Sequence, residues 1–172
     1  MNRHARRGRR RGQAMIETAL VAPVLMILVM APVDVGRYTD RLVSVTSATR
    51  DGARYATTHS TAWSAAANAN TTHSNTIEGV IQAEGGSAAI TNDDAHITIA
   101  YQDSNGTACA TYVAATPGLS YVPGWNSTNC IIPGGRIVVT VKYQYTILTP
   151  PMGVFFPNGT TMTSSYTMIE TS

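Results

Sequence analysis

The run at residues 18–33, TALVAPVLMILVMAPV, holds no charged residue, and residues 14–16 lengthen it with Glu17 as its only charge. About 20 apolar residues rising 1.5 Å each cross a hydrocarbon core near 30 Å thick, so the segment reads as a transmembrane helix. Arg3, Arg6, Arg7, Arg9, Arg10 and Arg11 precede it, whereas Asp34, Arg37, Asp40 and Arg41 after it balance to zero. Positive flanks stay in the cytoplasm, which predicts a single pass through the plasma membrane with the amino terminus inside and the carboxyl-terminal portion exported. A cleaved secretory signal is the competing reading, with Val29-Met30-Ala31 before the cut. The run is longer than a signal's apolar region of roughly 7–15 residues, it contains an acid, and that cut would leave Pro32 behind the scissile bond.

The membrane segment also explains the charge balance. The net charge of +2 hides an asymmetry: removing residues 1–12 leaves six basic residues against 10 acids, a net −4. A basic tail beside an acidic remainder suits nucleic acid in principle, but here it abuts an apolar span. Topology and anionic headgroups account for it, and no nucleic-acid partner is expected. At 172 residues the chain has room for one modest globular portion besides these attachments. The division expected is a basic leader at 1–12, a transmembrane segment at 13–34, an extracytoplasmic continuation of the same helix at 35–60 and a head at 61–172.

Glu17 is the most informative residue of the span, because a carboxylate at bilayer depth costs at least about 2.5 kcal/mol and calls for a partner. A cut between Gly12 and Gln13 would create an α-amino group, and Glu17 would be the fifth residue of the shortened chain. Pairing with such an amine on a neighbouring copy would neutralise both charges and set an axial register. Hydration of Glu17 near the headgroups is the alternative. Pro23 and Pro32 each remove a backbone donor, which transmembrane helices tolerate, and argue against a straight rod.

Past the span, Val35, Tyr38, Leu42, Val45 and Thr49 recur at helical steps, followed by Ala48, Gly52, Ala53 and Ala56. They predict one apolar stripe on a helix ending near residues 57–61, with Asp34, Arg37, Asp40, Arg41, Arg50 and Arg54 as its solvated surface. A second helix is expected within 63–84, best marked at 75–84 by Ile77, Val80, Ile81 and Glu84 and ended by Gly85-Gly86. The period then changes to two. Residues 96–101 and 136–147 alternate, the latter placing Ile137, Val139, Val141, Tyr143, Tyr145 and Ile147 on one face, and 110–116 and 161–169 are two further candidate strands. The fold class expected is therefore α+β: a long amino-terminal transmembrane helix continuing into a small head with a second helix and a roughly four-stranded antiparallel sheet. Residues 150–159, rich in Pro and Gly, would join the last two strands. Cys109 and Cys130, both in the exported portion, read most simply as one disulfide worth roughly 3 kcal/mol by loop-closure entropy, with two buried thiols as the alternative.

Chemistry-bearing patterns are scarce. The sequence contains no recognisable nucleophile–base arrangement, zinc-type pairing, P-loop or dinucleotide fingerprint, and His4, His59, His73 and His96 never fall four apart. No catalytic residue, cofactor or metal is expected. Asp93, Asp94 and residues 103–106 would gather oxygens for calcium only if two loops meet, and their spacing fits no EF-hand loop, so two turns flanking a strand are the simpler reading. Asn70, Asn105, Asn126 and Asn158 begin Asn-x-Ser/Thr triplets that composition alone explains.

Three stretches carry a family likeness: RRGQAMIETALVAPVLMILVM, then VDVGRYTDRLVSVTSATRDGARYAT, and, at the carboxyl end, RIVVTVKYQYTILTP with TMTSSYTMIE. Together they resemble the TadE-like (TadE/TadG) pilin-like proteins of the Tad, or Flp, tight-adherence pilus systems, strongly over residues 10–56 and more loosely over 136–170. The resemblance implies a non-enzymatic minor pilin or pseudopilin that is cut by a membrane prepilin peptidase between Gly12 and Gln13, with Glu17 as the pilin-type assembly glutamate. It implies other Tad/Flp pilins and pseudopilins, the pilus assembly platform and the lipid bilayer as partners. Flp pilins often place a tyrosine after that glutamate, whereas this chain has Thr18. A membrane-anchored exported binding or adhesion protein that never enters a filament is the alternative.

Overall fold

The computed structural model describes residues 5–63, 75–115, 118–148 and 159–171, and for residues 5–12 the backbone alone. Helix α1 spans Ala5–Thr58 and runs through Pro23 and Pro32. Next come α2 (Ile77–Gly85), a 3-10 turn (Gly86–Ala88), strands β1 (Ile97–Gln102), β2 (Ala108–Val113) and β3 (Gly118–Tyr121), the short α3 (Ser127–Cys130), and strands β4 (Arg136–Tyr145) and β5 (Thr160–Ile169). The chain divides into two compact units, one made of Met1–Tyr38 with Thr146–Gly159 and the other of Thr39–Tyr145 with Thr160–Ser172.

The second unit holds a five-stranded sheet ordered β3-β2-β1-β4-β5, with every neighbouring pair antiparallel. Its alternating sequence determines its two faces. Ile97, Ile99 and Tyr101 of β1 and Ile137, Val139 and Val141 of β4 point into the core, while Thr140 meets Ser165 across the other face, Oγ1 to Oγ at 2.9 Å. The same buried cluster takes Val45, Ala48, Ala53 and Ala56 from α1 and Ile77 and Ile81 from α2. Small α1 residues are required there. A Cβ added to Gly52 would sit 2.4 Å from Cγ1 of the fully buried Ile81, so α2 approaches α1 only because position 52 has no side chain. Thr76 starts α2 by accepting a hydrogen bond from the Gly79 amide at 3.1 Å. Cys109 of β2 is joined to Cys130 of α3 with Cα atoms 5.6 Å apart, within the usual range for a disulfide.

Several details differ from the sequence expectation. The sheet has a fifth strand, β3, whose four residues follow Pro117 and are too short to show a period. Strand β4 stops at Tyr145, leaving Ile147 beyond the ladder and only partly buried. The α1 stripe is buried only from Val45 onward: Val35 is 63% exposed and Leu42 is also exposed. In α2 the buried residues are Ile77, Glu78, Gly79, Ile81 and Gly85, with Glu84 turned to solvent. Asp34, expected on the helix surface, is instead buried in the first unit, where its Oδ1 accepts the Leu148 amide at 3.4 Å; a hydrogen-bond donor is what lets a carboxylate leave water. The expected connection at 150–159 lies outside the described residues save Gly159, as does most of 63–74.

Candidate functional site

The amino-terminal half of α1 presents its apolar side chains to the outside. Met15, Ile16, Leu20, Val24, Leu25, Leu28 and Val29 are all exposed, and the apolar window of this helix is long enough to cross a membrane with none of it buried within the protein. Left in water, such a surface would carry a hydrophobic cost of about 25 cal/mol per Å². One amino-terminal apolar helix of this kind fits a single-pass membrane anchor.

Glu17 stands exposed on this surface, at the rim of a shallow groove lined by Ala14, Thr18, Val21, Ala22 and Leu25. Ala14, Thr18 and Ala22 repeat every four residues and form one small-residue line beside it. The Thr18 hydroxyl is already satisfied, donating to the Ala14 carbonyl at 2.8 Å, so it adds no unpaired donor to the apolar face. Small residues in line with one carboxylate beside them are the kind of surface that allows close helix approach. Gly12 and Gln13 both lie in helical backbone.

A second polar grouping, missed in the sequence, lies inside the head. Glu78 is wholly buried and Glu170 nearly so. The Tyr112 hydroxyl is hydrogen-bonded to Glu78, the Tyr101 hydroxyl donates to the Ser60 carbonyl and receives Trp63 Nε1–H at 2.7 Å, and Glu170 is bonded to Ser60. Trp63 also stacks on Tyr112 at 5.8 Å and meets Tyr101 edge-on at 6.3 Å. Burial raises the pKa of Tyr101, Tyr112 and Glu170, with the bond to Ser60 opposing it at Glu170. These groups satisfy one another, as a buried network must, and they tie together the end of α1, α2, β1, β2 and the end of β5. Strand parity was the available signal for Tyr101. The burial of Glu78 and Glu170 left no mark in the hydrophobic pattern.

The remaining candidates are separated or engaged. Asp93 accepts from the amides of Ala95 and His96 before β1, and its Oδ1 is 2.6 Å from His96 Nδ1. Asp94 accepts the Ala114 amide at 2.6 Å. Asp103, beyond the other end of β1, accepts the amides of Asn105 and Thr107, which lower its pKa. These carboxylates build two turns rather than one oxygen cage. His59 stacks on Tyr55 at 4.3 Å. Asn126 caps α3, its side chain accepting the Thr128 and Asn129 amides. Asn70, Asn158, His4 and His73 lie outside the described residues.

A family model described as TadE-like protein matches residues 12–54. The matched stretch takes in Gly12, Gln13, Glu17, the exposed apolar surface and the first buried residues of α1, and the looser likeness over 136–170 falls outside it. Neither a curated protein nor a solved structure matches the chain.

Proposed function

We propose that this chain, TadE-like over residues 12–54 and carrying an apolar helix fit to cross a membrane, is a processed structural component of a Tad-type pilus rather than an enzyme. The observation that carries the reading is coincidence. The family match begins at Gly12, at the bond where a prepilin peptidase would cut, and covers the exposed apolar stretch of α1 that carries Glu17. The six leader arginines hold the amino end in the cytoplasm, where the peptidase acts on an unwound first turn. The cut then frees the Gln13 amine, which pairs with Glu17 of a neighbouring subunit, and the line of Ala14, Thr18 and Ala22 lets the two helices approach closely. Partners in this reading are other Tad pilins and pseudopilins and the assembly platform, with the disulfide-closed head on the outer side as a minor pilin or pseudopilin.

The helical backbone at Gly12 and Gln13 favours a second reading, an anchored exported binding domain that keeps its leader. Intact mass of the protein extracted from membranes separates the two. Loss of residues 1–12 is expected; recovery of the full chain would sink the processed-pilin reading and leave the anchor. Glu17→Ala is expected to insert normally but to reduce piliation.

A further inference from the structure

Residues 143–169 contain no Asp, Glu, Lys or Arg, in a chain whose remaining exported residues carry both signs of charge. Just after β4, this uncharged stretch returns to α1 within the first compact unit: the Leu148 amide is 3.4 Å from Oδ1 of Asp34, the residue that directly follows the apolar run. Asp34 is buried, yet the residues beside it are not, with Val33 and Val35 exposed and the Leu148 side chain 64% exposed. Two aliphatic surfaces from distant parts of the sequence thus stand at one level, around a carboxylate that receives a backbone donor. Where water thins out, an irregular segment needs its amides satisfied, and Asp34 does this for Leu148.

We propose that Ile147 and Leu148 form a second lipid contact, lying in the boundary between headgroups and acyl chains at the level of Val33 and Val35. The occupant is the bilayer because this surface is continuous with the exposed apolar face of α1, and because the uncharged sequence suits partial immersion. The proposal rests on α1 being a membrane anchor. Asp34, at the end of the span, then acts as a clasp: it holds Leu148 against the helix at interface depth and supplies the hydrogen bond that lipid cannot.

Spin labels on the full chain in phospholipid bilayers test this, with the native disulfide left intact. Labels at Leu148→Cys, Val24→Cys and Thr163→Cys are compared for collision with oxygen, which partitions into lipid, and with a water-soluble nickel chelate. Val24 is expected to be the deepest, Thr163 to be aqueous, and Leu148 to show an oxygen-to-nickel ratio several-fold above Thr163. A Leu148 label as water-accessible as Thr163, with Val24 still in lipid, would overturn the contact while leaving the anchor. A Leu148 label shielded from both reagents would mean protein covers it, and also overturns the proposal. An aqueous Val24 would remove the anchor reading and this inference with it. Asp34→Ala is expected to lower the Leu148 ratio toward that of Thr163 without moving Val24.

Discussion

Two stretches of α1 share a backbone conformation and differ in what their side chains meet. Over residues 13–33 the large apolar side chains are exposed, Leu20, Leu25 and Leu28 among them, whereas over 45–56 the inward residues are Val45, Ala48, Thr49, Gly52, Ala53 and Ala56, all buried. Bulk is tolerated where the neighbour is fluid, because lipid chains rearrange around any shape. Small residues are required where the neighbour is another helix or a sheet, whose atoms have fixed places. Hydrophobicity alone therefore does not mark a core: the most apolar part of this chain is the least buried.

If that contrast is right, removing volume should hurt only the second stretch and its neighbours. Ile81→Ala, against α1 in the head, is expected to lower stability by about 2–5 kcal/mol in denaturant melts of the full chain in detergent. Leu25→Ala in the span should leave the same transition in place; a comparable loss there would break the contrast. Replacing both cysteines, Cys109→Ser with Cys130→Ser, should cost the head about 3 kcal/mol, read as an earlier melting midpoint. Adding volume sharpens the comparison. Gly52→Ala puts a Cβ within 2.9 Å of two Ile81 carbons and should cost about 1–3 kcal/mol, while Gly36→Ala meets nothing within 4 Å and should stabilise the helix by roughly 0.5–1 kcal/mol.

The smallest effect concerns pH. Burial raises the folded-state pKa of Glu170 above its ordinary 4.5, so the folded head holds a proton there that the unfolded chain has released. That contribution is fully present below about 4.5 and is lost as pH rises through the raised value. Stability of the head should fall across this window, and Glu170→Gln should flatten the slope. A slope unchanged by the substitution would show that other groups set it.

Much of this architecture was legible in the sequence because it rests on local periodicity. The apolar run, the end of α1 near residue 58, helix α2 and the four longer strands each announce themselves within a dozen residues. What escaped was set by pairing at a distance. Strand β3 exists because residues 118–121 lie beside β2, and nothing in four residues declares that. Val35 and Leu42 fit the same helical stripe as Val45 yet remain exposed, since periodicity gives a face but not the point where a neighbour begins.

By itself the sequence determined an apolar helix long enough to cross a membrane and the two-faced strands, both consequences of composition and spacing along one chain. Only the tertiary structure decided that Asp34, Glu78 and Glu170 are buried. It showed Asp34 meeting the Leu148 amide, Glu78 meeting Tyr112, and Glu170 meeting Ser60. A carboxylate's identity says it prefers water, and only the donor that folding brings to it can reverse that preference.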